Sequence, residues 1–227
     1  MADCFPSSSR LRQLGLCAVA VGLIALSTAG CVRLLEPRKS NATYYLLSSP
    51  SDLDTLSADT TGLKVGLRQP RLASYLDATR IVRRHGPNTV QFSEFQQWGE
   101  DLSQGIGRTV AFALERQANI RSVEVVPWPK GVTFDYVLEL HVLGFEGVGP
   151  PPPPPDADDA PVPEGHSRMV VQWTIRNPAD NTLLARDLVR HQEKGWRVTD
   201  YQALVSRLSP SLDVLAQDIG ARLRARP

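Results

Sequence analysis

The sequence predicts an α/β domain: a mixed sheet with hairpins packed against two main helices as a layered sandwich. Three observations predict it. Two stretches repeat apolar residues every three or four positions, the spacing of one helix face. Several others alternate apolar and polar residues, the period of a strand. Two pairs of strand-like segments flank Gly/Pro/Asn turns at His85–Asn88 and Asn177–Asn181, as hairpins do.

The elements follow in order. Thr43 to Leu47 is β-branched and aromatic and reads as a first strand. Ser48 to Gly62 is a polar loop. Lys64 to Gln69 alternates and stops at Pro70. Ile81–Arg84 and Thr89–Phe92 form a hairpin, followed by an aromatic, partly irregular stretch to Trp98. Leu102, Ile106, Val110 and Leu114 mark a helix whose start carries Glu100 and Asp101, where negative charge suits the dipole. Gly105 and Gly107 weaken it by about 1 kcal/mol each. Ser122–Val126 and Phe134–Phe145 are strands. Residues 147–165 break the pattern with six prolines, Pro150 to Pro155, and an acidic patch. They read as an exposed insertion favouring polyproline II. Arg168–Ile175 and Thr182–Val189 form the second hairpin. Leu204, Leu208, Leu212, Leu215, Ile219 and Leu223 line a final helix, with a kink or break expected near Ser209 because Pro210 lies inside it.

Ahead of this domain the chain is of another kind. Arg10 and Arg12 precede a 13-residue apolar run, Leu14–Leu26, and then small residues up to Cys31. A membrane-spanning helix needs about 20 apolar residues; a basic start with a short apolar core reads as a secretory signal. Residues 1–30 are therefore read as a signal, 31–42 as a tether and 43–227 as one periplasmic domain. Thr28-Ala29-Gly30-Cys31 resembles the lipobox of bacterial lipoproteins, with Thr28 standing where Leu is usual. That resemblance implies cleavage before Cys31, lipidation of its thiol and anchoring at the periplasmic face of the outer membrane. Cys4 and Cys17 fall in the signal, so the expected mature chain has one cysteine and no internal disulfide.

Charge excludes other classes. Residues 31–227 carry 23 basic and 23 acidic side chains, since the first 30 hold two of the 25 and one of the 24. A neutral chain has no electrostatic footprint for nucleic acid. His85, His141, His166 and His191 lack metal-ligand spacing, and neither a GxSxG elbow nor a phosphate loop is present. A non-enzyme without a cofactor is the expectation. Glu94, Glu100 and Asp101 are explained by helix capping and solvation. Trp173 lies mid-strand and is read as core.

Several blocks follow one another along the chain: Tyr44-Tyr45-Leu46-Leu47, Val65-Gly66-Leu67 to Pro70, Tyr75-Leu76-Asp77, Ile81-Val82-Arg83-Arg84, Gly86-Pro87-Asn88, and Phe92 through Trp98 to Leu102. Together they resemble the PqiC-like ABC-transport auxiliary lipoproteins. The resemblance implies a non-catalytic lipoprotein that docks or stabilises an MCE-domain protein, with its inner-membrane transport components, in lipid transport between membranes. It also implies a homo-oligomeric ring. A lipid-binding shuttle is the alternative, and would need an apolar cavity. The candidate partner-binding residues are Tyr75, Leu76, Asp77, Phe95 and Trp98, with Tyr75 foremost and Trp98 read also as core.

Overall fold

The protein is described by a computed structural model covering residues 41–48, 61–154 and 160–225. The signal, Cys31 and most of the tether lie outside the described residues. The expected mixed sheet and two helices are present. Strands β1 (Thr43–Tyr45), β2 (Leu63–Leu67), β3 (Arg71–Leu72), β4 (Arg80–Arg84) and β5 (Val90–Trp98) precede helix α1 (Leu102–Glu115). Strands β6 (Ile120–Val125), β7 (Tyr136–Val148), β8 (Glu164–Arg176) and β9 (Leu183–Arg197) lead to helix α2 (Tyr201–Arg224). A single 3-10 turn, Ser74–Leu76, lies between β3 and β4.

Strand β7 organises the sheet. Along one edge it pairs in parallel with β2, then β3, then β4. The chain from Leu63 to Arg84 thus supplies three short partners in succession. The other edge pairs antiparallel with β8, which pairs antiparallel with β9. Strand β6 lies beside β2, while β5 lies beside β4 and carries β1 at the margin.

Alternation decides which face is covered. Leu138, Leu140 and Val142 of β7 and Val171, Trp173 and Ile175 of β8 are all buried. The predicted stripes of both helices are buried with them. Burying each such side chain contributes about 1.5–3 kcal/mol. Asp101 caps α1, accepting the Gln104 N–H at 3.0 Å, and Asp200 caps α2, accepting from Ala203 at 2.8 Å; each cap is worth about 1 kcal/mol. Gly107 permits close packing: a Cβ there would stand 3.2 Å from Pro70 Cδ.

Four expectations need correction. Helix α2 is continuous through Pro210. The proline is exposed while Leu208, Ser209, Ser211 and Leu212 around it are buried, and this packing outweighs a helix penalty of about 3 kcal/mol. The second hairpin reaches Glu164 on one arm and Arg197 on the other. Its outer part is held by the backbone ladder, and the polar run Arg190–Lys194 gives no alternation to read. Strand β7 continues to Val148, so the insertion between paired strands is 149–163 rather than 147–165. The hairpin's second strand runs to Trp98. It bulges on the way: Val82 pairs with Phe92 but Arg80 with Gln97, so extra residues of β5 stand off the ladder.

Candidate functional site

The predicted residues separate by depth. Leu76 is 1% exposed and Trp98 is 6% exposed. Both are core side chains, which corrects their assignment as direct contacts and agrees with the core reading of Trp98. The Trp98 ring lies 6.1 Å from Phe145, and the Trp98 backbone N–H donates to Thr79 O at 2.7 Å. Asp77 is exposed, as is Phe95 at 42%. Tyr75 is half-buried and packs against the core.

An open hollow of about 490 Å³ brings Leu76, Asp77 and Trp98 together. Leu72 and the Ala78–Thr79 segment form one wall, and Gly99–Leu102 at the start of α1 forms the other. Its rim is acidic. Glu100 pairs with Arg108, and Asp101 is held below the usual carboxylate range by the Ser103 hydroxyl, then by the Gln104 N–H. Neither Tyr75 nor Phe95 lines it. Leu46, 59% exposed, adjoins the hollow: a Cβ on Gly99 would stand 3.1 Å from its Cδ2. Tyr44 on β1, at 62%, and Phe92 on β5, at 40%, are also exposed. The bulge is braced by the Ser93 hydroxyl, which donates to Gln96 O. Phe92 and Phe95 both reach solvent there because the bulge interrupts strict alternation.

Tyr75 has a different role. Its hydroxyl donates to Glu146 Oε2 at 2.6 Å, with Leu143 O 3.0 Å away. Glu146 is fully buried on β7. Its Oε1 accepts from Arg84 Nε at 2.9 Å and Arg168 at 2.5 Å, and Oε2 accepts the Phe145 N–H at 3.2 Å. The Arg84 guanidinium lies 5.4 Å from the Tyr75 ring centre. Burial, then the Glu146 hydrogen bond and charge, push the Tyr75 hydroxyl up to about 12. The cluster pins the 3-10 turn to the sheet and so fixes the wall that carries Leu76 and Asp77. Glu146 escaped sequence reasoning because it sits at the edge of the proline-rich break. The signal is a carboxylate in a strand pattern, as common on a solvated face as in a buried pair.

No group of three or more His, Cys, Asp or Glu side chains among the described residues is placed to hold a metal ion. Nor is any described helix long and apolar enough to cross a membrane.

Comparison with known proteins follows this geometry. A family described as "ABC-type transport auxiliary lipoprotein component" matches residues 45–220. No curated protein sequence gives a significant match. Among solved structures, an uncharacterised protein superposes with a TM-score of 0.59 at 16% identity, covering 80% of this chain and 98% of its own. A Xanthomonas campestris protein of the DUF330 family gives 0.57 at 17% identity, covering 81% and 93%. At these identities the likeness concerns the fold. A PelC dodecamer from Paraburkholderia phytofirmans is more distant, at 0.43 and 15% identity over 75% and 93%.

Proposed function

The chain belongs to the family of ABC-type transport auxiliary lipoprotein components, and from that premise we propose that it is a non-catalytic adaptor anchored at the outer membrane. In this reading Cys31 carries the lipid, and the domain holds a periplasmic MCE-domain protein of a lipid transport system. The family description names a transport component rather than an enzyme, which supports an adaptor.

One observation carries the choice of surface. The hollow beside Asp77 adjoins exposed Leu46, and Tyr44, Phe92 and Phe95 are exposed on the neighbouring strands β1 and β5. Exposed aromatics that cluster beside a concavity are the residues from which interface anchors are drawn. The 12 residues from Cys31 to Ala42 span at most about 40 Å when extended. Anchoring there keeps the domain near the membrane while leaving it free to meet a partner.

The test is affinity purification of the full chain from detergent-solubilised envelope. An MCE-domain protein should co-elute. Phe95→Asp and Leu46→Asp should weaken its capture about 30-fold, the equivalent of about 2 kcal/mol, with unchanged melting temperature. Absence of any MCE protein from the eluate overturns the partner. Full capture by both variants moves the interface elsewhere.

A further inference from the structure

A second hollow, of about 670 Å³, lies where the β6–β7 connection meets the β8–β9 turn. Its walls are mostly apolar: Trp128, Val132, Phe134, Val137 and Pro178 contribute. The Trp128 and Phe134 rings are 4.9 Å apart and tilted. Gly66 makes room for them: a Cβ there would stand 2.9 Å from the Phe134 ring and 3.0 Å from the Trp128 ring. The Trp128 indole N–H is already satisfied by Glu124 O at 2.9 Å, which leaves the ring as apolar wall.

This hollow shares Arg68 with a smaller one of about 340 Å³, lined also by Arg71, Glu139 and Arg176. Arg68 and Arg176 both pair with Glu139, at 3.3 and 3.1 Å. Arg176 also donates to Asn181 O at 3.0 Å, and Asn181 lines the apolar hollow. Arg71 is exposed and its guanidinium has no partner among the described residues. Three guanidiniums thus face one carboxylate, in a chain whose basic and acidic groups otherwise balance. An apolar trough that ends on surplus arginine complements a molecule with an apolar chain and an anionic head. Guanidinium suits that head, since its planar fork grips phosphate or carboxylate oxygens in pairs.

We propose that these adjoining hollows bind an anionic amphiphile, with the acyl chain against Trp128 and Phe134 and a phosphate head at Arg71, Arg68 and Arg176. The site goes beyond the adaptor reading and does not depend on it, because it shares no residue with the β5 surface. Native mass spectrometry of the full chain, released from neutral detergent micelles, tests it. Phosphatidylglycerol and phosphatidylcholine are offered in parallel, with inorganic phosphate as competitor. One phosphatidylglycerol adduct should form, at least tenfold favoured over phosphatidylcholine. Arg71→Gln and Trp128→Ala should each reduce it about tenfold. Arg71 is exposed, so its variant keeps the fold; a thermal melt checks Trp128→Ala. A second readout is indole fluorescence. Trp98, Trp173 and Trp196 are buried, so the change on binding should vanish in Trp128→Phe. Equal adducts of the two lipids, or adducts that survive both substitutions, overturn the proposal. Displacement by millimolar phosphate alone marks a free-anion site and overturns the amphiphile reading as well.

Discussion

Replacing Glu146 by Gln should destabilise the domain by about 3 kcal/mol. The carboxylate has no exposed surface, while the side chains of Arg84 and Arg168 are 19% and 28% exposed. The substitution keeps the shape but leaves two partly buried cations without their counter-charge. Breaking a buried pair costs about 3–5 kcal/mol; residual water around both arginines puts the value at the lower end. For a domain of this size that is a fall in melting temperature of about 6–12 °C. Urea unfolding followed by tryptophan fluorescence measures it. Tyr75→Phe removes only the hydroxyl that donates to Glu146, and should cost about 1.5–3 kcal/mol, the value of a hydrogen bond to a charged group. In the Glu146→Gln background the same change should cost less, with a coupling of at least about 0.5 kcal/mol. pH gives a separate check. The Tyr75 hydroxyl titrates at about 12 in the folded protein against 10.0 for the free group. The folded state therefore holds this proton more tightly, so its contribution is complete below pH 10 and lost as pH rises toward 12. Tyr75→Phe should flatten that loss. A Glu146→Gln protein within about 1 kcal/mol of wild type, or additive effects in the cycle, would refute the picture of one coupled cluster.

Three further outcomes are expected. Trp98→Ala should lower stability by about 3–5 kcal/mol in the isolated protein, measured by the same unfolding curves; a loss under 1 kcal/mol would deny the ring its core role. Replacing residues 150–162 with a short Gly/Ser linker should leave the melting temperature within a few degrees, since loop closure costs only about 0.6 kcal/mol per doubling of length. The cut must spare Pro163 and Gly165, whose backbones meet Val198 and Val148; calorimetry of this variant beside one whose replacement extends through Gly165 should show the larger fall in the second. Cys31→Ser should block acylation and release the protein from the membrane fraction, as fractionation and intact mass will report; membrane association equal to wild type removes the anchor.

The sequence made the core legible because burial leaves a periodic trace. The leucine stripe of α2 and the alternation around Leu138, Leu140 and Val142 are that trace, and both mark buried faces in the structure. Where pairing rests on backbone alone the trace is absent. The polar outer arm of β9 and the two-residue β3 went unread for that reason. Pro210 misled because its local penalty is visible in sequence while the buried neighbours that offset it are not. At the candidate surface, local sequence groups Tyr75, Leu76 and Asp77 as one block. It gave no means of knowing that the three side chains go to a buried carboxylate, the core and solvent respectively.

The succession of β2, β3 and β4 along one edge of β7 also bears on how the chain is made. Lys64 meets Asp135 across 71 positions, and Arg83 pairs with Gly147. During amino-terminal-first synthesis, the segment from Leu63 to Arg84 emerges before the strand it must border. The β7–β8–β9 meander needs only neighbouring contacts, so it is the piece able to form early. Until it does, the apolar edges of β2 and β4 have no template. The vulnerable interval in this protein's life therefore falls before the domain is complete, and a chaperone that covers extended apolar segments has its natural work there.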